Sequence, residues 1–302
     1  MKMIIPPYLK PGDTIGITCP AGYMPAAKAT ACINTLQQWG YEVMVGKTLG
    51  SDSENYFSGT DDERLDELQA MLDDRSINAI LFGRGGYGMG RIIDRLNFKK
   101  FRKNPKWLIG FSDITVLHTH LLNNYHIASM HAPMAAAFNE GENQFISSLR
   151  NALTGIKAQY ETAPQLFSHK GQGTGILIGG NLALLCNVIG TPSDFDTKGK
   201  ILFVEDTGEY LYNVDRMFHQ LKRSGKLKKL AGLIIGGFTD MKDTERPYGK
   251  PVMDIIREIT KELDCPVAFD FPVSHGKQNV ALKIGVVYQL KVNASRTILK
   301  EV

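Results

Sequence analysis

Cysteine is scarce in this 302-residue chain: Cys19, Cys32, Cys186 and Cys265 are the whole complement, and no two of them form a C-x-x-C pair. Thiols so far apart give no disulfide framework and read as the reduced, structural cysteines of a cytosolic protein. There is no H-E-x-x-H stretch and no Cys/His cluster, so neither a metal nor another cofactor is expected. Long apolar runs are missing as well. None approaches the length of a membrane span, and the opening "MKMIIPPYLKPGDT" has only three apolar residues before two prolines, which reads as no signal peptide. A cytoplasmic protein with no membrane partner is expected. The chain also lacks a strong charge imbalance. Its net charge is +4, with Lys and Arg spread along its length. The densest basic stretches, "NFKKFRKNPK" and "KRSGKLKK", are short and carry no interleaved aromatics for base stacking, so they read as solvated faces, with no nucleic-acid partner.

What is present is an ordinary globular composition, 43% apolar and 22% charged, enough for one large core or two medium ones. The first half alternates. "DTIGITCP" reads as a strand, "AAKATACINTLQQWG" as a helix stopped at Gly40, and "YEVMVG" as a strand. "SGTDDERLDELQAMLDD" follows as a helix with a Thr60/Glu63 capping box and Leu65, Leu68 and Leu72 on one face. "INAILFG" is a third strand, "RIIDRLNFKKF" a helix, "WLIGF" a fourth strand, "DITVLHTHLLNNY" its helix, and "IASMHAP" a fifth strand. Alternation at this spacing predicts an α/β fold whose N-terminal domain is an open, mostly parallel sheet with helices on both faces. The pattern fades in a polar stretch rich in Gly, Thr and Gln. The domain reading is therefore 1–152 for the first domain, 153–174 for an interdomain crossover and 175–302 for a C-terminal mixed α+β domain ending in an antiparallel strand pair.

In such sheets ligands bind beyond the carboxyl ends of the strands, and two motifs fall there. Ser112 stands where strand four turns into a helix. Gly110-Phe111-Ser112-Asp113-Ile114 resembles the nucleophile elbow G-x-S-x-G without its last glycine. Such a turn exposes a hydroxyl and sets helix N-terminal N–H groups under a developing oxyanion; a plain helix N-cap accounts for the same residues. The second motif, "GRGGYGMGR", satisfies G-x-G-x-x-G through Gly83, Gly85 and Gly88, but it follows the third strand and lacks the downstream acid of a dinucleotide site. Its glycines can instead bring N–H groups close to a reacting carbonyl, or simply make a turn. "VGKTLG" is not a Walker A loop, because the required first glycine is Tyr41 and no helix follows. Glu205 ends an apolar strand in "ILFVEDTGEY", and His275 sits in the loop "DFPVSHGKQN". His118 and His120, two apart on a helix, do not face one another. His126, His169 and His219 read as solvated, and His131 ends strand five.

Together "GRGGYG", "IGFSDIT", "MHAP", "GGNLALL", "FVEDTGE" and "FPVSHGKQN", in this order over most of the chain, resemble the serine L,D-carboxypeptidase family of muramoyl-tetrapeptide carboxypeptidases and microcin C immunity peptidases. The resemblance implies a Ser–His–Glu triad, with Ser112 as nucleophile, His275 as general base and then acid, and Glu205 orienting the imidazole. It also implies an oxyanion hole from the backbone N–H groups of Asp113 and Gly86, with Gly85 as the neighbouring candidate, and a site between the domains. Ser274 and Lys283 depart from the family pattern, where glycine and proline are common. With both tryptophans, Trp39 and Trp107, in the first half, nothing in the second half matches the aromatic with which the immunity branch is expected to stack its nucleotide.

The implied activity is a cytoplasmic, homodimeric carboxypeptidase whose small peptide substrate is a murein tetrapeptide that loses its terminal D-alanine during cell-wall recycling. Two rivals stand beside it: a peptidase of the same fold acting on peptidyl or aminoacyl nucleotides, and a non-catalytic protein that binds a nucleotide or small molecule. Arg84 is a candidate for the substrate carboxylate and equally a surface charge.

Overall fold

The computed structural model describes residues 2–302. In chain order the elements begin with β1 (Thr14–Thr18), α1 (Thr30–Gln38), β2 (Glu42–Val45), α2 (Asp61–Asp73), β3 (Ile77–Phe82) and α3 (Met89–Ile92). They continue with β4 (Trp107–Gly110), α4 (Thr115–Tyr125), β5 (Ser129–His131), α5 (Gln144–Leu153) and β6 (Gln159–Thr162). Next are β7 (Gly171–Asn181), α6 (Leu182–Asn187), β8 (Ile201–Thr207), α7 (Leu211–Arg223), β9 (Gly232–Thr239) and α8 (Val252–Thr260). The chain closes with β10 (Val267–Ala268), β11 (Leu282–Ile284), β12 (Val287–Val292) and β13 (Thr297–Glu301).

Two compact units result. One is Met1–Ile156 with Val280–Ile284; the other is Lys157–Asn279 with Gly285–Val302. The first holds a six-stranded sheet in the order β11-β5-β4-β3-β1-β2, parallel except for β11, which runs antiparallel against β5. Its central strands β3 and β4 are apolar and almost entirely buried, as a covered parallel sheet requires. α2 is launched by the reciprocal Thr60–Glu63 capping box and buries Leu65, Leu68 and Leu72. Strand order reverses between β1 and β3, so the loops leaving their carboxyl ends flank the topological switch point. These loops are tied together, Gly22 N–H donating to Gly85 O at 2.9 Å.

The second unit holds a seven-stranded mixed sheet, β10-β9-β8-β7-β12-β13-β6. β7 to β10 are parallel, and β12, β13 and β6 are antiparallel, including the expected terminal pair. The polar stretch after residue 153 contributes the edge strand β6 and the start of β7, and its outward Gln159 and Glu161 suit an edge that must stay soluble.

One helix is shorter than its pattern predicts. Of "RIIDRLNFKKF" only Arg91 and Ile92 are α-helical, the end of α3, followed by a 3-10 turn to Arg95. Leu96 is extended because Asn97 is pinned to α2, exchanging backbone bonds of 2.7 and 3.0 Å with the Gln69 amide. The Asn97 side chain then accepts from Lys99 N, a turn that competes with helix. No helix among the described residues is long and apolar enough to cross a membrane.

Candidate active site

In the first unit, β4 delivers Ser112 to the carboxyl end of the sheet. Phe111 is extended, and Ser112 then adopts φ +63°. It is the first residue of a 3-10 turn, Ser112–Ile114, that leads into α4. The N-cap position belongs to Phe111, so Ser112 is not the helix cap that its residue type suggests. A left-handed serine costs roughly 1–2 kcal/mol, strain of the kind held at functional turns. The platform beneath is rigid. His118, wholly buried on α4, contacts Gly110 O through Nε2 at 2.9 Å and Ser129 Oγ through Nδ1 at 2.8 Å. A carbonyl only accepts, so Nε2 carries the proton and Nδ1 accepts from the hydroxyl. Burial pushes this imidazole down to about 4, so it is a neutral structural group.

The glycine loop leaving β3 lies against this turn. A Cβ on Gly85 would stand 3.0 Å from Ser112 Cβ, 3.2 Å from Ser112 Oγ and 3.3 Å from Asp113 N. Gly86 follows at φ +92°, a conformation L residues rarely adopt. Ser112, Asp113, Gly85 and Gly86 are thus brought together. Arg84 is exposed and its guanidinium donates to Tyr23 O at 2.7 Å.

In the second unit, Glu205 lies two residues before the end of β8 and is fully buried, not at a solvent-side terminus. Its Oε2 lies 2.6 Å from His275 Nδ1. A carboxylate accepts, so Nδ1–H donates and Nε2 is left with the lone pair, the tautomer a general base needs. Burial works against protonation of His275, but the bond and charge of Glu205, with Asp206 adding to them, outweigh it and raise the imidazole above its ordinary value. The loop is closed by Ser274, whose Oγ donates to Gln278 O at 2.9 Å and accepts from Gly276 N at 3.0 Å. Serine in place of the common glycine therefore shapes the turn that carries His275. Gly237 makes room for it, since a Cβ there would come within 2.5 Å of Ser274 Cβ. Lys283, the other departure, is buried in β11, its ammonium 4.8 Å over the Tyr8 ring.

Three groups escaped sequence reasoning. The Asp113 carboxylate is buried and accepts from Met89 N at 2.7 Å. Asp206, next to Glu205, accepts from Asn181 Nδ2 at 2.8 Å, Ala183 N at 3.0 Å and Thr207 N at 2.8 Å. Burial and the Glu205 charge push its carboxyl up to about 6 against those donors. His118 is the third. The "GGNLALL" motif contained Asn181, but no pattern tied it to Asp206. A cavity of about 1080 Å³ along β2 and α2 is lined by none of these residues.

Comparison with known proteins extends the geometry. Residues 15–132 match the family described as LD-carboxypeptidase N-terminal domain, and residues 174–290 match LD-carboxypeptidase C-terminal domain. A probable murein peptide carboxypeptidase of Bacillus subtilis (strain 168) is 33% identical over 285 residues, 93% of this chain and 89% of that protein. The crystal structure of muramoyltetrapeptide carboxypeptidase from Oxalobacter formigenes superposes with a TM-score of 0.86 at 30% identity, covering 95% of this chain and 98% of the other. The microcin C7 self-immunity protein MccF of Escherichia coli is 26% identical over 317 residues, 91% of this chain and 89% of its own length.

Proposed function

This chain belongs to the LD-carboxypeptidase family, which makes it a serine-type carboxypeptidase, and from that premise we propose that it removes the terminal D-alanine from murein tetrapeptides through a Ser112–His275–Glu205 triad. The observation that carries the catalytic part is Ser112 itself, a serine held at φ +63° in a strand-to-helix turn with glycine backbone packed against it. The substrate class is carried by the relatives named for murein peptides.

In the proposed reaction, Ser112 Oγ attacks the carbonyl carbon of the amide before the terminal D-residue. His275 Nε2 takes the hydroxyl proton as the C–O bond forms and the carbonyl electron pair moves to oxygen. Backbone N–H groups of Asp113 and Gly86, with Gly85 beside them, receive that oxyanion. Its collapse breaks the C–N bond, and the imidazolium returns the proton to the leaving amine. Water then attacks the ester, its proton passing by way of His275 to Ser112 Oγ, and the shortened peptide leaves as a carboxylate. Glu205 holds the imidazole in the required tautomer.

The same reading makes the protein a cytoplasmic homodimer that needs no cofactor. Free thiols at all four cysteines suit a reducing compartment. The MccF relative supports a second reading, the same chemistry on peptidyl or aminoacyl nucleotides.

The test is release of free D-alanine from L-Ala-γ-D-Glu-meso-diaminopimelate-D-Ala. Wild type releases it, and Ser112→Ala loses about 10³-fold or more. Equal release by both removes Ser112 from the mechanism. No release by either, with hydrolysis of an aspartyl-adenylate analogue instead, moves the substrate to nucleotide-linked peptides. Nucleotide binding without any turnover makes it a binding protein.

A further inference from the structure

Asp113 follows Ser112 directly, and its backbone N–H already has a part in the proposed oxyanion hole. Its side chain points elsewhere and has no share in that chemistry. The carboxylate is completely buried, and its Oδ2 accepts from Met89 N at 2.7 Å. Burial pushes this carboxyl up to about 6, against the Met89 and Gly88 N–H groups and the Arg64 charge, which favour its charged form. Oδ1 is buried with no hydrogen-bond partner among the described residues. Met89 and Gly88 are the far end of the glycine loop, whose near end at Gly85 presses on Ser112 and Asp113 N. One residue therefore holds the loop at its far end with its side chain while its own backbone meets the near end.

The loop is gripped from the other side as well. Arg64, a fully buried guanidinium on α2, donates to Pro20 O at 2.6 Å, to Gly88 O at 3.3 Å and to Gly59 O at 3.3 Å, and pairs with Asp61. A Cβ on Gly88 would come within 2.8 Å of both Arg64 Nη1 and Ala21 Cα, so the loop has no room to slide. Gly88 is thus held through its carbonyl by a cation, and its neighbour Met89 through its N–H by an anion.

Burying a carboxylate is costly unless it is paired or hydrogen-bonded. Here it accepts from the Met89 N–H, on a loop where two proposed oxyanion donors must keep a fixed spacing. We propose that the Asp113 carboxylate is a positioning residue for acyl transfer: by tethering Gly88–Met89 it sets the distance between the Asp113 and Gly86 N–H donors. The proposal rests on the catalytic reading of Ser112 given above. It assigns the side chain no contact with substrate. Its loss acts on the transition state, where a donor displaced by about an ångström costs on the order of 10²-fold.

The experiment compares wild type, Asp113→Ala and Asp113→Asn for D-alanine release from the tetrapeptide, and measures amide hydrogen exchange at Gly88 and Met89. Asn keeps one side-chain oxygen as acceptor; Ala keeps none. The expected result is a kcat loss of about 10²-fold in Asp113→Ala with KM within about threefold, faster exchange at Met89, and recovery to within about tenfold of wild type in Asp113→Asn with slow exchange restored. A kcat for Asp113→Ala within about threefold of wild type overturns the proposal, as does Asn failing as badly as Ala while Met89 exchange is unchanged. If Asp113→Ala does not fold, Asp113→Asn decides alone: activity within about tenfold supports the tether, and a loss of about 10²-fold with slow exchange at Met89 removes it. If wild type cleaves only the aspartyl-adenylate analogue, the same comparison is read on that substrate; cleavage of neither by wild type, or equal cleavage by Ser112→Ala, defeats the catalytic reading itself, and the proposal with it. The two failures are therefore distinct.

Discussion

His275 Nδ1 lies 2.6 Å from Oε2 of the fully buried Glu205, an acid seventy positions earlier in the chain, brought there because β8 ends beside the loop that follows β10. The bond fixes the tautomer, and it also sets the pH at which His275 can act as the proposed base. His275 must be neutral to accept a proton, and its pKa is raised. Activity should therefore climb with pH along a limb lying above the ordinary histidine value, about 6.5. Glu205→Gln removes the negative charge. Its kcat/KM should fall by about 10²-fold or more, and the limb should move to lower pH. A pH–rate profile of the two proteins checks both, and an unmoved limb would separate Glu205 from the ionisation.

Strain at Ser112 sets stability against activity. Ser112→Gly removes the proposed nucleophile and relieves the left-handed serine, so it should abolish turnover while raising stability by up to about 1 kcal/mol. Urea unfolding of the purified variant measures the gain. Ser112→Val, branched at Cβ in the same conformation, should be less stable than wild type.

Gly85→Ala tests the packing of the loop. The added methyl falls 3.0 Å from Ser112 Cβ and 3.3 Å from Asp113 N, tighter than ordinary contact. Loss of kcat by about 10–10²-fold is expected, with KM less affected, because the proposed oxyanion donors shift more than the binding groups. Steady-state kinetics at saturating peptide settles it.

Asp206 should leave a signature in stability. Burial raises its carboxyl to about 6 in the fold, above the usual aspartate value of about 4. A raised pKa contributes stability that is complete below about 4 and is lost as pH rises through about 6. Asp206→Asn does not titrate. Apart from a constant offset for the Ala183 N–H, the variant should gain on wild type between pH 4 and 7, by an amount on the order of 2–3 kcal/mol. Melting curves of both proteins across that range give the comparison. Asp113 titrates in the same window in both and cancels.

Much of the fold was legible because its signals are local. Alternating apolar runs, the Thr60–Glu63 box and Gly40 at φ +91° each specify an element from its own residues. The motifs at the strand ends were legible for a similar reason, since a parallel sheet puts Ser112 and the glycine loop at one edge whatever the rest of the chain does. What could not be read depends on partners distant in sequence. Asn97 interrupts a helix pattern because Gln69 holds it, and nothing in "RLNFKKF" announces Gln69. Asp113 reads as a capping acid until Met89 is found on its carboxylate. His118 reads as one of two unremarkable helix histidines until Gly110 O and Ser129 Oγ are found on its ring.

Strand β11 carries a consequence for biosynthesis. It supplies the outer edge of the first unit's sheet, covering β5, yet it is encoded at residues 282–284. A ribosome that has released the first 156 residues has released a sheet whose β5 edge is still open, an invitation to pair with another chain. The first unit is thus completed only once residues 280–284 have been made. Expressing residues 1–156 alone should give aggregating material, and a nascent chain should reach full protease resistance in this unit only after residue 284 has left the exit tunnel.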